Sequence, residues 1–500
     1  MKIRIGSRKS DLARIQAYFV GKALEALPEV DSIEYIFKSS LGDQNQDDPL
    51  WQMPEKGVFT QDLTKDLISE DVDLVVHSWK DLPVEEREQT FIAGTLPRED
   101  QRDLLIFRKD RLENLTSTRI AKIFSSSPRR AHNLGKFLAW ALPGGKNKIE
   151  FENVRGNIQT RVRKLLEAES VDGLIVAKAA LDRMLSATQD EFKDSLDLLK
   201  SALEKCHIMV LPLKENPTAA AQGAVAIEIR RSDSALVKLI EAINCKETFE
   251  NARCERKVLK SHGGGCHQKI GVSSLSRHYG QLLSLRGESE AGEELDQWSL
   301  GREKQFDAQI HEAFPAEMGK ARLYDDESLN FDNSKLESAD ALYISKWRAL
   351  PDSIQIEPNQ VVWTAGLRTW RKLAARGIWV TGSSESLGEH EKPRLEQLKG
   401  SLKWLKLTHE AAIAYSNENE TPALATYKLT SPNVPKDLAQ KEYFFWTSFS
   451  SCKAALEAYP EIRDRNHSCG PGNTAKLIEQ ELNIKPIVFA SYKEWLSEFQ

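Results

Sequence analysis

Four segments in the first half of the chain place anion-binding side chains just after a predicted strand. These segments are Gly6-Ser7-Arg8-Lys9-Ser10, Ser125-Ser126-Ser127-Pro128-Arg129-Arg130, Arg155-Gly156-Asn157-Ile158-Gln159-Thr160-Arg161 and Ala179-Ala180-Leu181-Asp182-Arg183. Backbone N–H groups at a helix N-terminus favour anions, and guanidinium groups bind carboxylate or phosphate in bidentate fashion. Any one of these arginines could equally be a solvated helix end. All four in one topological position indicate a pocket for a ligand with several anionic groups, because ligands of open parallel sheets bind at the carboxyl ends of strands.

A lysine and an aspartate stand at another predicted strand end. Lys80 and Asp81 follow the apolar run Leu74-Val75-Val76. Taken alone, they are best interpreted as a surface ion pair. At the end of a strand, however, we expect both side chains to face the same cleft. An aspartate that stays ionised there can stabilise a developing cation.

Cys266 lies in a glycine-rich loop. It follows Gly263-Gly264-Gly265, and glycine lets a backbone approach another group closely. The loop therefore presents the thiol, although by itself this cysteine could equally be buried or incidental. The six cysteines include no CxxC pair, so the sequence predicts neither a metal site nor a disulfide framework.

The elements that would position these residues alternate between strands and helices. Ile3-Arg4-Ile5 and Leu174-Ile175-Val176 have the pattern of buried strands, and helically spaced apolar residues lie between such runs. This alternation predicts an α/β fold with mostly parallel sheets. Residues 240–315 instead combine a helix, the glycine loop and two strand-like runs, which indicates a small α+β domain. The stretch from Tyr324 to Asp340 is acidic and poor in apolar side chains, which predicts a linker at 316–340, and residues 341–500 have an α/β pattern again.

Composition narrows the classes of function. Of the 500 residues, 40% are hydrophobic and 29% charged, which is typical of a globular protein of several domains. A net charge of −5 argues against a protein that coats nucleic acid. No run approaches the roughly 18 apolar residues of a membrane span, and no apolar leader precedes Lys2-Ile3-Arg4-Ile5. We therefore expect a cytoplasmic protein without nucleic-acid or membrane partners. We also expect a monomer, which none of these features determines.

Eight short motifs follow one another along residues 1–315. They are Ile5-Gly6-Ser7-Arg8-Lys9-Ser10, Glu55-Lys56-Gly57-Val58-Phe59, Val76-His77-Ser78-Trp79-Lys80-Asp81-Leu82-Pro83-Val84-Glu85, Arg98-Glu99-Asp100-Gln101-Arg102-Asp103, Ser125-Ser126-Ser127-Pro128-Arg129-Arg130, Arg155-Gly156-Asn157, Ala221-Gln222-Gly223-Ala224 and Gly264-Gly265-Cys266. In this order they resemble the porphobilinogen deaminases, or hydroxymethylbilane synthases. The resemblance implies two domains like those of periplasmic binding proteins, at 1–103 plus 218–239 and at 104–217. It also implies a small third domain, at 240–315, that bears a cysteine.

The resemblance implies the chemistry as well. The family carries a dipyrromethane cofactor joined to a cysteine by a thioether, and Cys266 occupies that place. Four porphobilinogen molecules are added to this primer with release of ammonia, and hydrolysis then frees hydroxymethylbilane. Asp81 matches the catalytic aspartate, which holds pyrrole N–H groups and stabilises a cationic azafulvene. Each porphobilinogen has an acetate and a propionate group, so the growing chain is a polyanion.

By position, the other site residues divide between cofactor and substrate. The residues matched to the cofactor carboxylates are Lys80, Ser127, Arg129 and Arg130. Those matched to the incoming substrate are Arg8, Ser10, Arg155 and Arg161, with Arg183 and Gln222 as further cleft residues. Lys80, beside Asp81, is also expected to take part in catalysis.

Four positions depart from the usual family pattern. Asp11 replaces a proline, Phe124 a glycine and Pro128 a leucine, and Gln52 stands where many members have a lysine. Asp11 adds a negative charge beside the first anion-binding segment. These departures bear on substrate affinity more than on chemistry, because Asp81 is retained and so is the cysteine.

Two motifs near the C-terminus, Phe445-Trp446-Thr447-Ser448 and Gly470-Pro471-Gly472-Asn473-Thr474-Ala475, faintly resemble part of uroporphyrinogen-III synthase. Residues 341–500 are shorter than a complete synthase. Both a fused, degenerate cyclase and an accessory α/β domain are consistent with these motifs.

Two other classes of function stay open for the N-terminal part. A non-catalytic flytrap protein that binds a polycarboxylate would use the same arginines, although the lack of a leader and the pairing of Asp81 with Cys266 argue against it. An enzyme that binds a phosphate ligand at Ser125–Arg130 would carry motifs such as GxxxxGK[ST], which the sequence lacks.

Overall fold

The computed structural model describes residues 1–39, 61–113, 115, 119–264, 268–415 and 421–499. Gln52 and Cys266 therefore lie outside the described residues. The chain separates into two compact units. The N-terminal unit comprises Met1–Ala139, Asn147–Ser276 and Ser284–Asp296, and the C-terminal unit comprises Trp140–Lys146, Arg277–Leu283 and Gln297–Gln500. Within the described ranges, no helix is long and apolar enough to cross a membrane.

The first lobe of the N-terminal unit is built on a five-stranded sheet. In spatial order its strands are Ser32–Lys38, Lys2–Arg8, Leu74–Ser78, Val225–Arg230 and Thr90–Gly94. Its helices are Asp11–Glu25, Gln61–Ile68 and Ser234–Ile243. The first three strands run parallel, and the fourth is antiparallel to both neighbours. Ile3, Ile5 and Ile227 alternate with outward residues and pack in a buried core with apolar residues of two of the helices.

The second lobe has a five-stranded sheet of the same kind. In spatial order its strands are Lys148–Glu152, Ile120–Phe124, Gly173–Ala177, Asp103–Arg108 and Cys206–Val210. Its helices are Lys109–Leu112, Pro128–Ala141, Ile158–Glu167, Lys178–Leu185 and Lys193–Lys205. The residues from Leu104 to Phe107 are all buried, as expected of a central strand with both faces covered.

The two lobes repeat one topology. Each sheet has three parallel strands followed by a strand antiparallel to both neighbours. The chain enters the second lobe at Asp103–Arg108 and returns to the first at Val225–Arg230, so two connections join the lobes. The prediction of two α/β domains like those of periplasmic binding proteins is confirmed, whereas the boundaries of the individual domains remain predictions.

The segment that follows the lobes contains a helix, Lys246–Ser261, and a three-stranded sheet. The sheet strands, in spatial order, are Gly271–Arg277, Gly280–Glu288 and Glu294–Ser299. This is the small α+β arrangement that the sequence predicts after residue 240.

The C-terminal unit contains two further sheets. The six-stranded sheet has the order Asp326–Ser328, Ala423–Leu429, Trp404–His409, Ala341–Ile344, Val361–Thr364 and Gly382–Ser383. The four-stranded sheet has the order Ala313–Phe314, Tyr443–Trp446, Asn466–Cys469 and Ile487–Val488, all parallel. The helices are Ser334–Glu337, Leu367–Ala375, Glu396–Lys399, Glu410–Ile413, Phe449–Ala458, Asn473–Leu482 and Tyr492–Leu496.

Residues 316–340 differ from the linker that their composition predicts. Asp326–Ser328 pairs antiparallel with Ala423–Leu429 at the edge of the six-stranded sheet. An edge strand needs backbone hydrogen bonds on one side only, and charged side chains suit it because they discourage further pairing. A polar composition therefore does not exclude a strand here.

Candidate active site

A buried carboxylate, Asp103, organises the arginines of the second predicted anion site. Asp103 begins its strand and is fully buried. Arg130 Nη2 donates to its Oδ1 at 2.6 Å, and Arg129 Nη2 donates to its Oδ2 at 2.9 Å. The amides of Asn216 and Gln222 each donate to it at 2.9 Å. We refer to these five residues as the Asp103 cluster.

The electrostatics of the cluster keep Asp103 ionised. Burial alone would raise the pKa of this carboxyl, but Arg130 and Arg129 outweigh it and hold the pKa far below its ordinary value. Arg129 also donates to Asn216 Oδ1 at 3.0 Å and to the Pro217 carbonyl at 2.7 Å. The two guanidinium groups are therefore fixed in place by a charge that lies behind them.

The turn before these arginines has the predicted helix start. Ser127 Oγ accepts from Arg130 N at 3.4 Å, and helix Pro128–Ala141 begins at the next residue. Ser126 instead exchanges hydrogen bonds with the backbone of Val154, at 2.7 and 2.9 Å. Pro128 thus departs from the family pattern without disturbing the helix start.

Lys80 connects to the Asp103 cluster through Gln222. The short 3-10 turn Trp79–Asp81, named here the Asp81 turn, follows strand Leu74–Ser78 directly. Lys80 Nζ donates to Gln222 Oε1 at 3.3 Å, while Gln222 Nε2 donates to the Gln101 carbonyl at 2.7 Å. Burial lowers the pKa of Lys80, as do Arg130 and Arg129, whereas Asp81 and Asp103 oppose the shift. The predicted lysine therefore lies in the same charged group as the two arginines.

Arg161 joins this group from the third anion-binding segment. Its Nε donates to the Gly156 carbonyl at 2.7 Å, next to the helix that Asn157 caps by accepting from Thr160 N. Burial lowers the pKa of Arg161 to about 10, with further lowering from Arg130 and Arg155 and an opposing effect of Asp81. These interactions bring residues from both lobes within electrostatic reach of one another.

Gly156 is required for this turn. It has φ of 107°, and a Cβ there would lie 2.7 Å from Thr160 Cγ2.

Arg183, predicted as a further cleft residue, makes a contact with the protein backbone. It is buried, and its Nη2 donates to the Gly223 carbonyl at 2.7 Å. Burial lowers its pKa to about 10, although Glu99 and Asp182 oppose the shift. Gly223 has φ of 86°, and a Cβ there would lie 2.8 Å from the Glu99 carbonyl. Arg183 therefore supports the turn that carries Gln222.

Arg8 and Ser10 lie at the carboxyl end of strand Lys2–Arg8 in the first lobe. That strand runs parallel to Leu74–Ser78 in a register that pairs Gly6 with Val75. Both strands consequently end at the same edge of the sheet, where the Asp81 turn also begins. Ser10 precedes helix Asp11–Glu25, and its side chain makes no capping hydrogen bond.

The chain that leads to the glycine loop is anchored on the Asp81 turn. From helix Lys246–Ser261, Arg256 Nη1 donates to the carbonyls of Trp79 and Leu82 at 3.3 and 3.1 Å. At the end of this segment, a Cβ on Gly264 would lie 2.8 Å from Val84 Cγ2. Sequence reasoning missed Arg256, because an arginine inside a helix carries no local signal of such a contact.

Sequence reasoning also missed Asp103 and Asn216 as site residues. Asp103 closes the motif Arg98–Asp103, so its position could have singled it out. Asn216 lies in none of the eight motifs along residues 1–315, and only the tertiary structure brings it to Asp103.

The site favours a ligand with several carboxylates. The interactions above join Lys80, Arg129, Arg130, Arg155 and Arg161 to the carboxylates Asp81 and Asp103. The Nε atom of Arg130 is buried and has no hydrogen-bond partner among the described residues. A buried donor without an acceptor is costly, so a ligand carboxylate would complete the site.

Comparison with known proteins supports this chemistry. A family model, "Porphobilinogen deaminase, dipyromethane cofactor binding domain", matches residues 3–238. The porphobilinogen deaminase of Alkaliphilus metalliredigens is 36% identical over 57% of this chain and 81% of that protein. The porphobilinogen deaminase of Syntrophomonas wolfei is 34% identical over 57% of this chain and 84% of that protein.

Similarity to solved structures is weaker. An arginine-transport periplasmic binding protein of Legionella pneumophila aligns with 53% of this chain and 95% of its own. Its identity of 13% and its TM-score of 0.24 are too low to bear on function.

Proposed function

Because the chain belongs to the porphobilinogen deaminase family, and is therefore a transferase that makes hydroxymethylbilane from porphobilinogen on a dipyrromethane cofactor, we propose that the Asp103 cluster and the Asp81 turn form its active site. The observation that carries the proposal is the convergence of Lys80, Arg129 and Arg130 with Asp81 at one edge of the sheets. We also propose that the enzyme acts as a monomer in the cytoplasm.

On the cofactor side, Arg129, Arg130 and Lys80 bind carboxylates. Asp103 supports this role, because it orients both guanidinium groups while the Nε of Arg130 stays available. Ser127 uses its oxygen as the helix cap and can donate its hydroxyl hydrogen to the same ligand. The bound dipyrromethane supplies the pyrrole carbon that is extended, and these side chains orient it and neutralise its charge.

On the substrate side, Arg8, Ser10, Arg155 and Arg161 bind the acetate and propionate groups of porphobilinogen. Arg161 supports this role, because it lies among like charges that a dianionic substrate would relieve. Gln222 positions Lys80, and Arg183 positions Gln222 through Gly223.

Asp81 is the proposed catalytic residue. Asp81 is exposed, and its carboxylate accepts no hydrogen bond from the described residues. Both carboxylate oxygens can therefore receive pyrrole N–H groups. When porphobilinogen loses ammonia, the carboxylate stabilises the positive charge that develops on the ring.

We place the cofactor linkage on Cys266, which lies outside the described residues. Gly264, two residues earlier, lies beside Val84, and Arg256 ties the preceding helix to the Asp81 turn. These contacts support a thiol that reaches the cleft where Asp81 acts.

Intact mass spectrometry of the purified protein tests the proposal. The protein should exceed its sequence mass by two pyrrole units, and Cys266→Ser should abolish this addition. Cys254→Ser is the matched control, since Cys254 is a free and partly exposed thiol in the helix of the same segment. An unmodified wild-type protein that still binds polycarboxylates would instead identify a non-catalytic binding protein.

A second candidate function concerns the C-terminal unit. Lys346 follows the carboxyl end of strand Ala341–Ile344, within electrostatic reach of Arg322, Arg348 and Arg368. Asp326 pairs with Arg322 and Arg348 and offsets part of this positive charge. We propose that this group binds an anionic ligand and that the unit is a fused uroporphyrinogen-III synthase-like domain. With porphobilinogen supplied, the III isomer of uroporphyrinogen would support the proposal, and the I isomer alone would refute it.

A further inference from the structure

One carboxylate joins the two lobes of the N-terminal unit. Asp11 is the first residue of helix Asp11–Glu25 in the first lobe. Its Oδ2 accepts from Gln159 Nε2 and from Ser195 Oγ, both at 2.7 Å and both in the second lobe. Its Oδ1 accepts from Arg14 Nη2 at 2.7 Å. Hydrogen bonds to an ionised acceptor are the strong ones, so this is a substantial link.

The same helix face makes a second set of contacts with the second lobe. Arg14 pairs with Glu191, and Tyr18 Oη donates to Glu191 Oε1 at 2.8 Å. The Arg14 guanidinium also lies 4.8 Å from the centroid of the Phe192 ring. Asp11, Arg14 and Tyr18 are spaced by three and four residues, so they form one stripe directed at the second lobe.

We infer that Asp11 is a positioning residue that holds the two lobes together and so sets the width of the cleft. It lies next to Ser10 at the first anion-binding segment, and Gln159 lies two residues before Arg161. The link therefore fixes the distance between the substrate-binding residues of the first lobe and those of the second lobe. Three donors already use the charge of Asp11, so it does not face the substrate carboxylates as its place in the sequence suggests. The inference rests on the proposed roles of Ser10 and Arg161.

Hydrogen exchange and kinetics on the cofactor-bearing protein test the inference. In Asp11→Ala, exchange of the hydrogen-bonded amides of helices Ile158–Glu167 and Lys193–Lys205 should rise about tenfold, because one charge-assisted hydrogen bond is worth about that factor. KM for porphobilinogen should rise several-fold, and kcat should change less. Asp62→Ala is the matched control, since Asp62 is also in the first turn of a first-lobe helix but, among the residues that the structure describes, pairs only with Lys65 on its own helix.

A double-mutant cycle with Gln159→Ala separates positioning from a local helix effect. If Asp11 acts through Gln159, the two substitutions together should raise KM less than the product of their separate effects. Independent effects would overturn the inference, as would an exchange increase confined to helix Asp11–Glu25 or an unchanged KM. Exchange needs no substrate, so an inactive wild-type protein would refute the proposed function without deciding this point.

Discussion

The Asp103 cluster and the Asp81 turn each contain a carboxylate close to the same cations, yet the surroundings of the two are opposite. Asp103 is fully buried and accepts from four side chains. Asp81 is exposed and, within the described ranges, accepts no hydrogen bond. Gln222 and Lys80 bridge the two regions.

This difference separates a structural charge from a chemical one. A carboxylate whose acceptor sites are filled by protein donors fixes those donors and cannot serve a ligand. A carboxylate with free oxygens at a strand end can bind and stabilise a cation that appears during the reaction. Substitutions at the two positions should therefore affect different measurements.

Asp103→Asn should have the largest effect, which is a loss of stability of the folded protein. It leaves Arg129 and Arg130 buried without their counter-charge, and removing one partner of a buried ion pair costs about 3–5 kcal/mol. The free energy of opening of strand Asp103–Arg108, measured by native-state hydrogen exchange, should fall by about this amount. Asp110→Asn is the control: Asp110 pairs with Arg108 at the surface, so its loss should cost at most about 1 kcal/mol.

The same variant should show a defined pH dependence. The pKa of Asp103 in the folded protein is far below its unfolded value of about 3.9. Its stabilisation is therefore complete above that value and is lost as the pH falls below it. The stability difference between wild type and Asp103→Asn should stay constant down to about pH 5 and narrow below about pH 4. A difference that persists unchanged in acid would contradict an ionised Asp103.

Asp81→Ala should have the next largest effect, which is a fall in kcat. Removing one preorganised electrostatic stabiliser typically lowers kcat about 10²–10³-fold. The side chain makes no hydrogen bond with the described residues, so the thermal midpoint should stay close to that of the wild type. Steady-state consumption of porphobilinogen measures the effect, and near-normal turnover would refute the catalytic role.

Gln222→Ala should have the smallest effect, because Gln222 only connects the two regions. It removes one donor from Asp103 and the acceptor of Lys80, and each contact involves a charged group and is worth about 1.5–3 kcal/mol. We expect kcat to fall about tenfold or less, with a modest loss of stability. A loss of turnover as large as that of Asp81→Ala would mean that the two regions are not distinct.

Much of the site could be predicted because its signals are local. Ser127 and Pro128 mark a helix start wherever they follow a strand, and Arg129 and Arg130 come next in the chain. Ligands of open parallel sheets bind at the carboxyl ends of strands, so the sequence also predicts that Arg161 and Asp81 belong to binding edges, although only the tertiary structure brings the two lobes together.

Other residues could not be assigned because their roles depend on distant partners. Arg183 has the type and position of a ligand-binding residue, and only the tertiary structure shows that its Nη2 donates to the Gly223 carbonyl. Asp11 suggests repulsion of an anionic substrate, but donors from two helices of the other lobe surround it. The polar segment 316–340 contains a strand whose partner lies about one hundred residues further along the chain.

Residue order alone determined the alternation of strands and helices, the helix starts and the cationic character of the strand ends, because these depend on neighbours within a few positions. Only the tertiary structure decided which charges are free and which are used. A carboxylate or guanidinium at a strand end looks the same in sequence whether its partner is a ligand or a side chain more than one hundred residues away. Long-range packing therefore separates the paired Asp103 from the open Asp81.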